Sequence, residues 1–299
     1  MRSSLLFYVT YLLCLCLGLL CVLFVSYWNS HWRGGFAWDG SSLQSHWHPV
    51  LMVSGLVVLY GHAVIVYRVP FTWKQRKHTW KLVHAGLMLL VLLLSILGLC
   101  AVFDLHTGLH LPDLYSLHSW VGICTVVMFV FQWVLGLAAF LLPCSPLWFR
   151  KALKPAHTWM GNVIFILSLA SCISGINEKL LLNINGSSAG TCFAPPVEAK
   201  FANFLGILIV AFGLVVFGIL SKNKWQRPEV ENESSQGAPS WPVVGVTAAS
   251  PALSPSWPWL PASAWLAPST LPGILLLVAL PSMNGLRKLI IWLYRHGQV

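Results

Sequence analysis

Six long apolar runs, separated by short segments rich in basic, histidine and turn-forming residues, occupy most of the chain. They fall at Leu5–Trp28, Trp47–Tyr67, Leu82–Phe103, Tyr115–Leu142, Ala156–Leu181 and Phe201–Leu220. Each reaches the ~20 residues that an α-helix needs to cross the hydrocarbon core of a bilayer. A segment surrounded by lipid must satisfy its own backbone hydrogen bonds, so these runs predict helices. The first begins almost at the N-terminus. It is too long for the apolar part of a signal peptide and no small-x-small cleavage site follows, so it is read as a retained helix. The expected fold is an all-α membrane protein with six transmembrane helices in alternating directions.

The pattern stops after Arg227. Residues 228–299 hold ten of the 18 prolines, interspersed with Ser and Trp, and read as an irregular tail. The apolar stretch Ile274–Leu280 is short and is bounded by Pro272 and Pro281. The expected division is a transmembrane domain over 1–227 and a Pro/Ser/Trp-rich tail over 228–299.

Composition supports this reading. Only 9% of residues are charged, against about a quarter in soluble domains, and the mean hydropathy is +0.73. A net charge of +10 would suggest nucleic acid in a soluble protein. Here the basic residues sit between the apolar runs, so they report orientation instead. Twelve of them (Arg2, Arg68, Lys74, Arg76, Lys77, Lys81, Arg150, Lys151, Lys154, Lys222, Lys224 and Arg227) fall on one side. Three (Arg33, Lys179 and Lys200) fall on the other. The positive-inside rule therefore places the N-terminus in the cytosol. The sequon at Asn185 lies on the non-cytosolic side, where glycosylation is expected; a second at Asn232 falls in the tail, where none is. The eight cysteines form no CxxC motif and mostly lie within apolar runs, so they read as small buried hydrophobes.

Four of the eleven histidines stand at the starts of helices 2, 3, 4 and 5: His48, His84, His118 and His157. Alternating direction puts His48 and His118 at the non-cytosolic side, and His84 and His157 at the cytosolic side. Two imidazoles from different helices at one depth are what axial ligation of a haem iron inside a bundle requires. Helices 2–5 are thus expected to form a four-helix bundle around two b haems. Gly122 and Gly161 follow His118 and His157 by four residues, on the same helix face. They offer either a flat surface for a macrocycle or a site of close helix packing. His62 and His78 have no partner at their depth and read as structural or loop residues.

At these residues the chain resembles the cytochrome b561 family of ascorbate-dependent transmembrane ferrireductases. The resemblance rests on Gly35-Phe36-Ala37-Trp38-Asp39-Gly40, Trp47-His48-Pro49-Val50-Leu51-Met52, Tyr67-Arg68-Val69-Pro70 and Lys81-Leu82-Val83-His84-Ala85-Gly86. It continues through Leu114-Tyr115-Ser116-Leu117-His118-Ser119-Trp120, Phe140-Leu141-Leu142-Pro143, Lys154-Pro155-Ala156-His157 and Gly175-Ile176-Asn177-Glu178-Lys179-Leu180. Among members, the chain is most similar to the late-endosomal and lysosomal branch, with plasma-membrane and other vesicular members as alternatives. The resemblance implies two haem b groups as cofactors. Cytosolic ascorbate would reduce the haem of His84 and His157. The haem of His48 and His118 would pass the electron to a luminal acceptor, ferric iron or a ferric chelate. It also implies ascorbate binding at Lys77, Lys81 and Arg150, and haem contacts at Arg68, Asp113, Leu114, Tyr115, Ser116 and Glu178. In a duodenal relative, positions matching His31 and His106 lie by the luminal iron site. The expected partners are ascorbate, ferric iron and the lipid bilayer, with no nucleic acid and with a homodimer left open.

The spacing of Lys77, Lys81 and His84 would place two ammonium groups over the haem edge if helix 3 starts early; ordinary loop charges explain the same residues. One departure is plain. The family often has Trp-Lys-Arg-Pro after helix 6, whereas this chain has Trp225-Gln226-Arg227-Pro228, so a cytosolic haem contact is either missing or taken over by Lys224. The competing functional class is a transporter that uses the same histidines as a proton or zinc path. Such paths also employ intramembrane carboxylates. Here the acidic residues fall at helix ends or in loops.

Overall fold

The computed structural model describes residues 2–143, 145–184 and 196–228. Asn185, Asn232, Cys144, Cys192 and the proline-rich stretch from 229 onward lie outside the described residues. Among the described residues are six long helices and no strand: α1 (Arg2–Arg33), α2 (Ser42–Arg68), α3 (Lys77–Gly108), α4 (Leu117–Leu141), α5 (Leu147–Ile184) and α6 (Val197–Ser221). All six are long and apolar enough to cross a membrane.

Several helices outrun their apolar cores. α1 continues to Arg33 because its end is tied to the head of α6. The Glu198 carboxylate pairs with the Arg33 guanidinium and accepts from the Trp28 indole at 2.8 Å. α3 begins at Lys77, and α5 at Leu147. Arg150, Lys151 and Lys154 depress hydropathy there but are good helix formers. Pro155 lies inside α5 and removes one backbone bond, to the carbonyl of Lys151. Lys151 is exposed, so the loss occurs where water reaches the helix. α2 is irregular: a π-helical stretch, Val53–Leu59, interrupts it after His48, and 3-10 turns form both ends. π-helical insertions of this kind often accompany functional sites.

α2 packs along α3, α4 along α5, α1 along α6, and α5 closes against α6. Lipid gives helices no hydrophobic reason to associate, so close fit holds them. Gly61 of α2 approaches α6 so nearly that a Cβ there would lie 2.7 Å from the Phe212 ring. At the centre, the buried Tyr60 ring stacks on Phe165 with centres 5.7 Å apart and meets Phe129 edge-on at 5.5 Å. Its hydroxyl donates to Gly161 O at 2.8 Å. Buried Ser95 and Ser168 donate to carbonyls one turn back, so their hydroxyls are satisfied. Outward, Leu12, Leu19, Leu93, Leu97, Phe131 and Leu214 are exposed, part of an apolar belt that suits lipid. Cys14, Cys21 and Cys100 are buried as expected, but Cys16 and Cys124 face outward on this belt.

Candidate functional site

The α2–α5 bundle brings the four histidines into two couples. His48 on α2 faces His118 on α4 with ring centres 6.0 Å apart and planes at 89°. His84 on α3 faces His157 on α5 at 6.5 Å and 71°. The first couple sits where α2 and α4 begin. The second sits where α3 and α5 begin, among the cations of Arg68, Lys77, Lys81 and Arg150, and this is called here the basic end.

The separations allow a direct test of whether a metal group fits. A metal bonded at ~2.0–2.1 Å to one nitrogen of each of two opposed imidazoles holds the ring centres ~6–6.5 Å apart. Both couples meet that spacing. The ring orientations agree with it. His48 Nδ1 lies 3.0 Å from Gly98 O, His84 Nδ1 2.9 Å from Ala63 O, and His118 Nδ1 2.9 Å from Ser171 O. A carbonyl can only accept, so each Nδ1 carries the proton and each Nε2 keeps its lone pair for a metal. His157 differs: its Nδ1 is buried without a partner, and its ring rests instead on Phe140 at 5.1 Å.

Two glycines make room for the rings. A Cβ on Gly175 would lie 2.7 Å from His118 Cε1, and one on Gly136 would lie 2.9 Å from His157 Cε1. Each of α4 and α5 thus carries a histidine near its start and, eighteen residues later, the glycine that seats the other helix's histidine. Eighteen residues are five full turns, so both features share one face. Gly122 and Gly161 do not touch the rings. A Cβ there would meet Ser171 Oγ at 3.2 Å and the Tyr60 hydroxyl at 3.7 Å, so each lies against a neighbouring helix. Sequence reading thus missed Gly136 and Gly175, although the repeated spacing from each histidine was a usable signal. It also missed the carbonyls of Gly98, Ala63 and Ser171, which residue type cannot reveal.

The remaining candidates divide between the two ends. α3 starts at Lys77, so Lys77, Lys81 and His84 share one face. Arg150 Nη2 donates to Leu142 O at 2.9 Å, beside the end of α4. Arg68 Nη1 donates to Lys222 O at 3.0 Å. Arg68 is therefore at the basic end, away from the other expected haem contacts. Those lie by His118. Asp113 accepts from His106 at 3.0 Å, and Leu114 adopts a left-handed φ of 55°. The Tyr115 hydroxyl donates to Glu178 at 3.1 Å, and Ser116 caps α4 by accepting from Ser119 N at 3.2 Å. Partial burial, reinforced by the Glu178 carboxylate, raises the Tyr115 phenol above its usual range and keeps it a donor. His31 stacks on Tyr27 and packs against Trp32, whereas His106 is engaged with Asp113. Among the described residues no group of three or more His, Cys, Asp and Glu forms a metal-ion cluster. His62 is lodged between Tyr11 of α1 and Phe212 of α6.

Comparison with known proteins agrees with this architecture. A family model described as eukaryotic cytochrome b561 matches residues 47–183, which contain all four histidines. The chain is 58% identical over 231 residues to the lysosomal membrane ascorbate-dependent ferrireductase of Danio rerio, a match covering 77% of this chain and 94% of that one. It is 51% identical over 223 residues to the protein of the same description from Homo sapiens, covering 75% and 92%. It is also 42% identical over 227 residues to a plasma membrane ascorbate-dependent reductase of Xenopus laevis, covering 76% and 78%.

Proposed function

The chain belongs to the eukaryotic cytochrome b561 family, and from that premise we propose that it is an ascorbate-dependent ferrireductase carrying electrons from cytosolic ascorbate across the membrane to luminal ferric iron. The observation that carries this reading is a pair of imidazole couples, each at metal-bridging separation, at opposite ends of one membrane-spanning bundle. Haem b, one group per couple, supplies when bound the one-electron chemistry that these side chains lack.

The chain's own residues hold, orient and insulate. His48, His84 and His118 are locked by their Nδ1 bonds in the tautomer that offers Nε2. Gly136 and Gly175 leave the rings space to stand across the bundle axis. Tyr60, Phe129 and Phe165 fill the interior between the couples and keep water out. At the basic end Lys77, Lys81 and Arg150 form a cationic mouth that draws the ascorbate anion. At the other end the Asp113 and His106 pair and Glu178 suit a ferric cation or its chelate. Electron crossing is biased by the membrane potential at about 2.3 kcal/mol per 100 mV. The proposed location is the late-endosomal or lysosomal membrane with the N-terminus cytosolic, as the names of the Danio rerio and Homo sapiens relatives suggest. The plasma membrane, named for the Xenopus laevis relative, is the alternative. No carboxylate among the described residues lies in the middle of a span, so no observation favours the transporter reading.

Sealed vesicles containing the protein, loaded with ascorbate on its cytosolic face and given a ferric chelate on the other, test the proposal. Ferrous iron should appear outside only when protein and ascorbate are both present. Purified protein should be red, with about two b haems per chain. A colourless preparation from haem-replete cells, or iron reduction independent of internal ascorbate, would overturn it.

A further inference from the structure

The residues after α6 fold back over the basic end as a short strap. Lys222 O accepts from Arg68 Nη1 at 3.0 Å. Trp225 is buried, its ring edge-on to Phe7 of α1 at 5.4 Å. Arg227 Nη2 donates to Gln75 O at 2.6 Å. Three attachments therefore hold the strap, and the last fixes the Arg227 guanidinium beside the start of α3.

The other terminal nitrogen of Arg227, Nη1, is buried without a partner. Its surroundings lead to the histidines. The guanidinium is near enough to the Tyr67 phenol for their charges to interact, and the Tyr67 ring lies 5.6 Å from that of His84. Two further donors at this end share its condition. Trp80 stands one turn before His84 on α3, and its Nε1 is buried and unpartnered; so is Nε of Arg150. An indole N–H and a guanidinium can only donate. Nothing anionic in the described chain is at hand. Asp39, Asp104, Asp113, Glu178 and Glu198 all belong to the opposite end. Buried donors without acceptors are costly, so this arrangement fits an acceptor that arrives with a ligand.

Building on the functional reading above, we propose that Arg227 Nη1 and Trp80 Nε1 grip an oxyanion at the cytosolic mouth of the His84 and His157 couple. The anion is either ascorbate itself or a carboxylate of the group bound between those histidines. The strap is then part of the donor site as well as a tether. This also accounts for the departure at Gln226, which is exposed and reaches only Asn223 at 3.4 Å, while Lys224 is exposed too. Arg227, anchored by Gln75, supplies the cation, and its planar fork suits an oxyanion better than an ammonium would.

The test uses full-length protein with haem content measured first. Ascorbate binding to dithionite-reduced protein is followed by calorimetry, alongside steady-state KM and kcat and the two haem midpoint potentials. If the anion is ascorbate, Arg227→Gln should raise both the dissociation constant and KM about tenfold with kcat held, as loss of a charged hydrogen bond would. Trp80→Phe should raise them about threefold, since a neutral donor is lost. If the anion is a bound carboxylate, ascorbate binding stays constant, and one midpoint potential falls because a cation opposing the oxidised state is gone. Arg227→Lys should lie between wild type and Arg227→Gln in either case. Should Arg227→Gln fail to fold, Arg227→Lys and Trp80→Phe carry the same test. Variants with normal haem content and unchanged binding, KM and potentials would overturn the proposal. Wild-type protein that neither binds ascorbate nor is reduced by it would overturn the functional reading as well.

Discussion

The two ends of the bundle hold nearly the same couple of imidazoles in opposite electrostatic settings. By His48 and His118, acids are engaged by neighbouring donors: Asp113 accepts from His106, Glu198 pairs with Arg33, and Glu178 accepts from Tyr115. Both imidazoles there are anchored to carbonyls. By His84 and His157 the described residues include basic side chains and no acid, His157 Nδ1 has no hydrogen-bond partner, and neither does one donor nitrogen each of Arg150, Trp80 and Arg227. One end presents carboxylates, each with a bonded donor, although Arg33 Nε, Ser41 Oγ and Glu178 Oε2 are also buried there without partners. The other is left expecting negative charge. On the proposed function, two similar couples are made directional by what surrounds them, with an anionic donor matched to one mouth and a cationic acceptor to the other.

The sharpest way to break this comparison is to remove one couple at a time. His84→Ala or His157→Ala should reduce ascorbate-driven haem reduction to background and lower haem content by about half, one of two sites being lost. His48→Ala or His118→Ala should leave an ascorbate-reduced b-type spectrum while abolishing ferric reduction across the vesicle membrane. Indistinguishable spectra from the two sets would end the division of labour. A smaller effect is expected at the glycine seats. Gly175→Val and Gly136→Val would drive a side chain into His118 and His157 respectively, and should lower haem content severalfold in a pyridine haemochrome assay. Gly86→Ala, where a Cβ meets nothing within 4 Å, should match wild type. Equal haem content in all three would show that the seats do not matter. The smallest effect concerns Asp113→Asn. Its partly exposed pairing with His106 should contribute less than about 1 kcal/mol to stability, read as a thermal shift. The same change should raise KM for a ferric chelate a few-fold and leave KM for ascorbate alone; a shift in the ascorbate value instead would contradict the assignment of the ends.

The six spans and the four histidines were legible in the chain because both depend on local spacing: apolar length, and a histidine at or near the start of each of four apolar runs. Helix ends were less legible. The run 147–155 reads as a basic loop by hydropathy, yet forms the first turns of α5, because helix propensity survives where apolar character does not. α1 outruns its apolar segment through the contacts of Arg33 and Trp28 with Glu198, far away in sequence. The glycines at four residues from the histidines attracted notice, but those that seat the rings lie on the opposing helix. Only the antiparallel register of α4 and α5 selects them. Arg227 sits in a segment with no periodicity, and its place at the site follows from a single backbone acceptor, Gln75 O.

The reciprocal arrangement of His118 with Gly175 and His157 with Gly136 also acts as a ruler. Five helical turns measure about 27 Å along the axis, close to the ~30 Å hydrocarbon thickness of a bilayer. Inserting or deleting one residue between histidine and glycine on either helix would rotate the far half by about 100° relative to the near half, so the two ends could not both stay in register. On the proposed function, the pitch of two helices therefore sets how far apart the two couples are held.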